Sequence, residues 1–555
     1  MPQKLLRNRK LSKNYFLPLG GTGEIGMNLN LYGYSHENNE EWIMIDCGVT
    51  FSQSGTPGID LQMADPNFIA KKKKNLLGII LTHAHEDHIG AMPFIWPHLQ
   101  CPIYTTKFTA SLLEEKFNEY KISFDEKLII IDDQEELQIG SFNIKAIGLS
   151  HSIPEMNAIV IETPNLKIFH SGDWKIDDDP IVGGKFDKNK ASELSKLNID
   201  LLVCDSTNSI VPGRSGSESE VRDSLIDIIS GIEGRIFIST FASNVARLTS
   251  VAEAAAINDR QVVLSGMGMH KIARAAKKSG YFKGIPDFVD EEDAGYLPAD
   301  KTLILCTGSQ GEYRAALSKI ARDEHRNLYA DEGDTVIFSS KMIPGNEYGI
   351  LRLQNTFAKR GINVITEKDS FVHVSGHPCE DELIEMFNLL KPKYMIPVHG
   401  EHRHLRENAN IARQCGIQAK VIENGELIAI SKDGFSDVKT VENGRLYKDG
   451  NILEHDFESN SSERSKLSFS GVLTVSIQVN NNKIQKKSIV NTIGIPEFDE
   501  KGIRLVDLVQ ERLSQILKSS KVDEKLENRI KNAVTKEINY IWGKKPFVEV
   551  IIHYN

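Results

Sequence analysis

The stretch "LTHAHEDHIG", residues 81–90, constrains the fold of this 555-residue chain more than any other. It sets His83, His85, Glu86, Asp87 and His88 within six positions, a crowding of ionisable groups that calls for a cation to gather them. The apolar run "NLLGIILT" leads into the cluster and "IGAMPFIWPHL", of mixed helical character, follows it. The ligands are therefore expected where a strand ends and a helix begins. Neutral imidazole and carboxylate suit zinc, and H-x-H-x-D-H can serve two ions, one through His83 and His85, the other through Asp87 and His88. Three later fragments offer further donors, each at the end of an apolar strand: His151 in "IGLSHSIP", Asp173 in "IFHSGDW" and His399 in "YMIPVHGEH". His151 would complete the first site and His399 the second, with Asp173 bridging them around a shared hydroxide. Asp46, ending "WIMIDCG", is placed to orient a ligand histidine or the water. His98, His170, His270 and His325 stand without such company and are expected to be structural or superficial.

Length allows roughly three to five domain-sized units. "MNLNLYGY" and "EWIMIDCG", separated by the polar "SHENNEE", read as a β-hairpin. "GTGEIG" at 21–26 matches a dinucleotide-binding pattern, but a strand-like alternation follows it where that motif needs a helix. It is read as a tight turn between strands. Further strands are expected at "KLIIID", "FNIKAIGLS", "NAIVIET" and "LKIFHSGD". From about 200 to 370, wholly apolar strand runs alternate with helical stretches, the pattern of an inserted domain with a parallel sheet covered on both faces. The helical "DELIEMFNLLKP" and the strand "YMIPVHG" follow, then the Ser- and Asn-rich "HDFESNSSERSK", read as a linker. The expected boundaries are 1–205 and 366–450 for a split first domain, 206–365 for the insert, 451–466 for the linker and 467–555 for a small C-terminal domain.

No run approaches the ~18 apolar residues of a membrane span. The basic N-terminus "MPQKLLRNRKLSKNYF" is followed by no apolar signal core, so the expected location is the cytoplasm, with no membrane partner. Six scattered cysteines without a CxxC pair fit reduced thiols there. A formal charge of −10 argues against a nucleic-acid binder. Bound divalent cations, however, would place positive charge where a substrate phosphate sits, so the average does not decide.

Asp46, "HAHEDH", His151 and Asp173 occur in an order that resembles the metallo-β-lactamase superfamily. That order alone leaves lactamase, thioesterase and nuclease open. The insert resembles the β-CASP subgroup, which acts on nucleic acids, through "LLVCDST" with Asp205, "HVSGHP" with His373 and His377, and His399. A histidine at the last position accompanies the RNA-processing members of that subgroup. The ordered set "PLGGTGEIGMN", "LTHAHEDHIGA", "LSHSIPE", "GDWKID", "CDST", "CTGSQGE", "HVSGHP" and "HGE" is similar to the ribonuclease J family, whose members combine 5′-to-3′ exonuclease and endonuclease activities. Departures concentrate after residue 445, where "LYKDGNILEHDFE" only loosely resembles that family's Gly- and Asp-rich segment.

The resemblance implies an α/β fold: a metallo-β-lactamase αββα sandwich, an inserted β-CASP α/β domain and a small α+β C-terminal domain. It implies two Zn2+ per subunit, with Mn2+ or Mg2+ as alternative supports, and single-stranded RNA as substrate in RNA maturation and mRNA decay. It also implies a homodimer or homotetramer, and an RNA helicase or other decay enzymes as partners. Phosphodiester hydrolysis needs an activated water, charge neutralisation and a proton for the leaving 3′ oxygen. The metal site, with Asp87, Asp173 and Asp46, answers the first two needs; His377 is suited to the third. The loop His373, Val374, Ser375, Gly376, His377 is expected to hold the phosphate. Ser309 and Gln310, in the small-residue turn "CTGSQGE", are expected near a 5′-monophosphate, and Ser243 and Arg247 of "FASNVAR" against the RNA backbone. A non-catalytic RNA-binding scaffold and a DNA nuclease are the alternatives, disfavoured by the full ligand set and by His399.

Overall fold

The computed structural model describes residues 12–37, 39–51, 55–124 and 127–554. Most of the basic N-terminal stretch thus lies outside the described residues. Two compact units result, one of residues 1–50 with 62–446, the other of 51–61 with 447–555.

The first unit is built on two sheets. One has eight strands, in the order 434–440, 426–431, 13–20, 29–36, 39–45, 76–80, 103–105, 128–130. The other has seven, in the order 136–139, 142–148, 157–163, 166–170, 201–205, 394–398, 418–419. Side chains alternate across a strand, and here both faces are apolar. In Leu201–Asp205, Leu201 and Val203 join Phe16, Ile43, Ile161 and Ile396 between the sheets, while Leu202 and Cys204 turn outward to Leu383, Phe387 and Ile411 of the covering helices Glu380–Leu390 and His402–Gln414. With Lys107–Glu119 against the edge of the first sheet, the four-layer αββα sandwich anticipated from sequence is present.

Strands Leu201–Asp205 and Tyr394–Val398 are parallel neighbours, yet the chain between them builds a further sheet of its own. That sheet is wholly parallel, ordered 261–265, 302–306, 236–239, 335–338, 363–365. Ile236 and Ile238 face one apolar cluster and Phe237 the other, which explains why its strands read as unbroken apolar runs. Helix Glu218–Ser230 opens on a capping box between Ser217 and Glu220.

"GTGEIG" is indeed no helix start. Thr22–Gly23 pairs with Gly400–Glu401, and the hairpin Leu29–His36 with Asn39–Ile45 follows. In the second unit, Val472–Asn480 lies antiparallel to Lys483–Ile493 and parallel to Phe547–Tyr554. Helices Leu505–Ser519 and Leu526–Trp542 cover one face, burying Leu505, Val509, Leu513, Ile530 and Val534 against Leu473 and Val475. The apolar stripe of "LVDLVQERLSQIL" is therefore consumed inside its own domain. The expected linker, 451–466, is a correction: it carries the strand Ile452–His455 and most of the helix Ser461–Ser470. Arg464 bonds Asp449, an ion pair that a reading of the polar stretch as punctuation misses.

Candidate metal centre

Strand Leu76–Ile80 delivers His83 and His85 into a loop, and a single helical turn, Glu86–Ile89, presents Asp87 and His88. The backbone there comes so near Gly48 that a β-carbon at 48 would sit 1.6 Å from the Asp87 carbonyl oxygen. Asp46 and His399 both hold left-handed backbones, φ 64° and 53°, a conformation uncommon for residues other than glycine and concentrated at functional sites.

The structure brings all seven expected ligands together. His83, His85, His151 and Asp173 form one set and Asp87, His88, Asp173 and His399 a second, with the donor atoms of each set within 4.8 Å of one another. Asp173 Oδ2 is the common point, 3.1 Å from His88 Nε2, 3.5 Å from His399 Nε2, 3.7 Å from His83 Nε2 and 3.8 Å from His151 Nε2. Asp173, Asp205, His377 and His399 also converge, but His377 Nδ1 already bonds Asp205 Oδ2 at 2.8 Å, so that set is an extension of the same centre.

Four of these imidazoles have the outer nitrogen fixed by an acceptor. His88 Nδ1 meets Asp46 Oδ2 at 2.7 Å, and His399 Nδ1 meets Asn28 Oδ1 at 3.0 Å. His151 Nδ1 donates to the Gly376 carbonyl at 2.6 Å. Thr82 Oγ1 gives its proton to Asp46 and so accepts from His83 Nδ1 at 3.0 Å. Each outer nitrogen being the N–H, each Nε2 faces inward, with a lone pair wherever the ring is neutral. His85 Nδ1 faces His83 Nε2 at 3.0 Å and His151 Nε2 at 3.1 Å, and one proton cannot satisfy both. Converging lone pairs around a buried carboxylate fit a divalent cation.

Charge reinforces this. Burial, and then the neighbouring imidazoles, press His83 and His151 well below the usual histidine range, and burial takes His85 down to about 4, so these three are neutral donors. Burial also disfavours a charge on His88, but Asp173, Asp87 and Asp46 outweigh it and draw a proton onto the ring, in the place a cation would take. Asp173, raised by burial yet flanked by His399, His88 and His377, is held well below the carboxylate range. His377 is pushed up to about 9: burial opposes its charge, and Asp205 with Asp173 overcomes it.

Of the loop 373–377, Gly376 and His377 lie against the same centre. A β-carbon at Gly376 would meet His151 Nδ1 at 2.7 Å, so glycine is what lets this loop touch a ligand histidine. His373 Nδ1 is buried with no hydrogen-bond partner, and burial with Arg247, Lys341 and Lys175 keeps the ring neutral. Val374 is a correction in part: its side chain lies in the apolar cluster of the insert, leaving only its backbone for a ligand. Ser309 lines a small cavity with Ser340, Thr366 and Lys368.

One expectation is overturned. Arg247 is fully buried, bonded to Glu218, to Ser339 and to the Val372 carbonyl, so it braces the insert and cannot reach an RNA backbone. The Gln310 carboxamide bonds the Lys341 carbonyl and the Ile343 amide and so braces its turn, with one Nε2 proton left over. Ser243 is half-buried in the loop before helix Val245–Ile257. Sequence reading missed Asn28, Thr82 and Asn208, although each sits inside a quoted motif or directly beside one, in "EIGMN", "LTHAH" and "CDSTN". His170, expected to be structural, bonds Tyr32 at 2.8 Å.

Fold and site together define a metallo-β-lactamase-type hydrolase with a β-CASP insert. Family matches divide the chain accordingly: a beta-lactamase superfamily domain at 41–191, the beta-CASP domain of ribonuclease J at 233–357, a Zn-dependent metallo-hydrolase RNA specificity domain at 361–421 and the ribonuclease J C-terminal domain at 462–555. Ribonuclease J of Sinorhizobium meliloti is 42% identical over 97% of this chain and 96% of its own length. Ribonuclease J of Mycolicibacterium smegmatis is 34% identical over 96% and 95%. Among solved structures, a protein of unknown function from Enterococcus faecalis matches at a TM-score of 0.52 and 16% identity, over 75% of this chain and 100% of its own, a likeness of fold alone. The chain belongs to the ribonuclease J family, and is by that membership a metal-binding ribonuclease hydrolase.

Proposed function

We propose that this protein is a two-zinc ribonuclease that degrades single-stranded RNA from a 5′-monophosphate end, 5′ to 3′, and also cuts internally, in the RNA maturation and mRNA decay of the cytoplasm. The observation that carries the reading is the set of four imidazoles, each with its outer N–H tied and its Nε2 turned toward Asp173, set against a loop that ends in His377. Among the described residues, no helix is long and apolar enough to cross a membrane.

His83, His85 and His151 would hold one ion, Asp87, His88 and His399 the other, and Asp173 both. Such a pair supplies an activated water and neutralises phosphoryl oxygens. The chain does the rest. Asp46, Thr82 and Asn28 aim the ligand rings, and the His373 ring, whose buried Nδ1 has no partner, and the half-exposed Ser375 offer hydrogen bonds to a phosphate. His377, kept protonated by Asp205, gives its proton to the departing 3′ oxygen. Ser309, which lines a small cavity with Thr366 and Lys368, would help to read a 5′-phosphate. Assembly as a dimer or tetramer would use the uncovered sheet face of the second unit, where Ile489, Ile493, Phe547 and Ile551 are exposed, and an RNA helicase or other decay enzymes would be partners.

The test is 3′-labelled single-stranded RNA carrying a 5′-monophosphate or a 5′-triphosphate, incubated with the wild type and with the Asp87→Ala, His88→Ala double variant. Rapid loss of the monophosphate substrate to mononucleotides, absent in the variant, is expected. Binding without cleavage by the metal-loaded wild type would replace this reading with that of an RNA scaffold, and cleavage confined to a DNA control with that of a DNA nuclease.

A further inference from the structure

We propose that Asn208 is a positioning residue that sets the direction of the Ser375 hydroxyl, and through it the hydrogen bond that Ser375 makes to the substrate phosphate; the inference rests on the ribonuclease reading above. Asn208 follows the strand Leu201–Asp205 by three positions and is almost wholly buried. Its Nδ2 bonds Ser375 Oγ at 2.7 Å and the His377 carbonyl at 3.2 Å. A carbonyl only accepts, so the amide must present its NH2 to the loop, and the bond to Ser375 runs from Asn208 to the hydroxyl oxygen.

The His377 backbone N–H donates to the same oxygen at 3.2 Å. A serine hydroxyl has two lone pairs and one proton. Both lone pairs are thus engaged from within the protein, and the proton is the one part of the group left over. Ser375 is half-exposed beside Gly376, whose carbonyl holds the ligand His151, so this free donor belongs to the rim of the metal centre. A hydroxyl that is free to rotate spends time as an acceptor turned toward an anion; this one is wired to donate. Asn208 touches no reacting atom and acts through Ser375 alone, apart from its bond to the His377 carbonyl.

A double-variant cycle on the metal-loaded full chain separates this role from simple bracing. Ser375→Ala is expected to lower kcat/KM for single-stranded RNA about tenfold, the worth of one hydrogen bond to a charged group, and Asn208→Ala by a similar factor. In the Ser375→Ala background, the further loss caused by Asn208→Ala should shrink to about twofold, the remainder belonging to the His377 carbonyl. Metal content should be unchanged in every variant. Asn208→Gln, which keeps a carboxamide of the wrong length, should recover part of the loss when Ser375 is present and none when it is absent; it also supplies the cycle should Asn208→Ala not fold. Equal fold-losses from the Asn208 variants in both backgrounds would overturn the inference and leave Asn208 as a brace. RNA left uncut by the wild type would instead overturn the ribonuclease reading beneath it.

Discussion

At the scale of single residues, the centre works through atoms one bond removed from the expected ligands. Asn28 accepts from His399 and also bonds the Asp87 carbonyl, so it fixes two members of the second ligand set. Asn28→Ala should weaken one of the two cations about 10–100-fold, the usual cost of removing such a partner, read by competition with a chromophoric chelator. Equal affinities in variant and wild type would show that His399 needs no orientation. The proton on His377 gives a second prediction. Its folded pKa, about 9, lies above the ordinary 6.5, so the Asp205 pairing stabilises the fold fully below 6.5 and fades as pH rises through about 9. In the proposed mechanism the active form is the protonated one, so kcat should fall on the alkaline side as His377 deprotonates; bound cations would repel its charge and bring that limb below 9. Asp205→Asn removes the largest raising influence, and the alkaline limb of the pH profile should move to lower pH. An unmoved limb would assign the proton to another group.

At the scale of elements, sheet geometry made the site legible before any coordinates. His83, Asp173 and His399 each follow the end of an apolar strand, so periodicity and residue type together located them, whereas Asp205, which ends one, was found only through the family resemblance. What stayed hidden depends on contacts distant in sequence. Arg247 begins a helix and looks like a surface cation until Glu218, in a different helix, is found against it. Arg247→Met should therefore destabilise the fold by about 3–5 kcal/mol in chemical denaturation, because it strands a buried carboxylate. A change in KM for RNA at unaltered stability would restore the RNA-contact expectation. The Ser-rich segment near 460 misled for the opposite reason: polar composition resembles a linker, but it says nothing against an exposed helix such as Ser461–Ser470. In the C-terminal unit, one sheet face is filled by helices and the other bears Ile489 and Ile551 in one cross-strand row, joined through Ser476. The dimer or tetramer proposed above should fall to monomers in sedimentation velocity on Ile489→Glu with Ile551→Glu, without loss of helix content. An unchanged sedimentation coefficient would place the interface elsewhere or remove it.

At the scale of the whole molecule, a chain of net charge −10 belongs to a family of RNA-cleaving enzymes, and the metal centre accounts for the apparent conflict. Cation charge placed at one buried point does for the scissile phosphate what a basic surface does for an ordinary nucleic-acid binder. The most direct measurement is metal stoichiometry by elemental analysis, taken on the same samples as the RNA assay, for the wild type, for His151→Ala and for Asp173→Ala. Two zinc equivalents per chain are expected in the wild type, a selective weakening of one in His151→Ala, and loss of both together with cleavage in Asp173→Ala. Full RNA cleavage by metal-free protein, or two tightly held equivalents in Asp173→Ala, would contradict the two-cation centre.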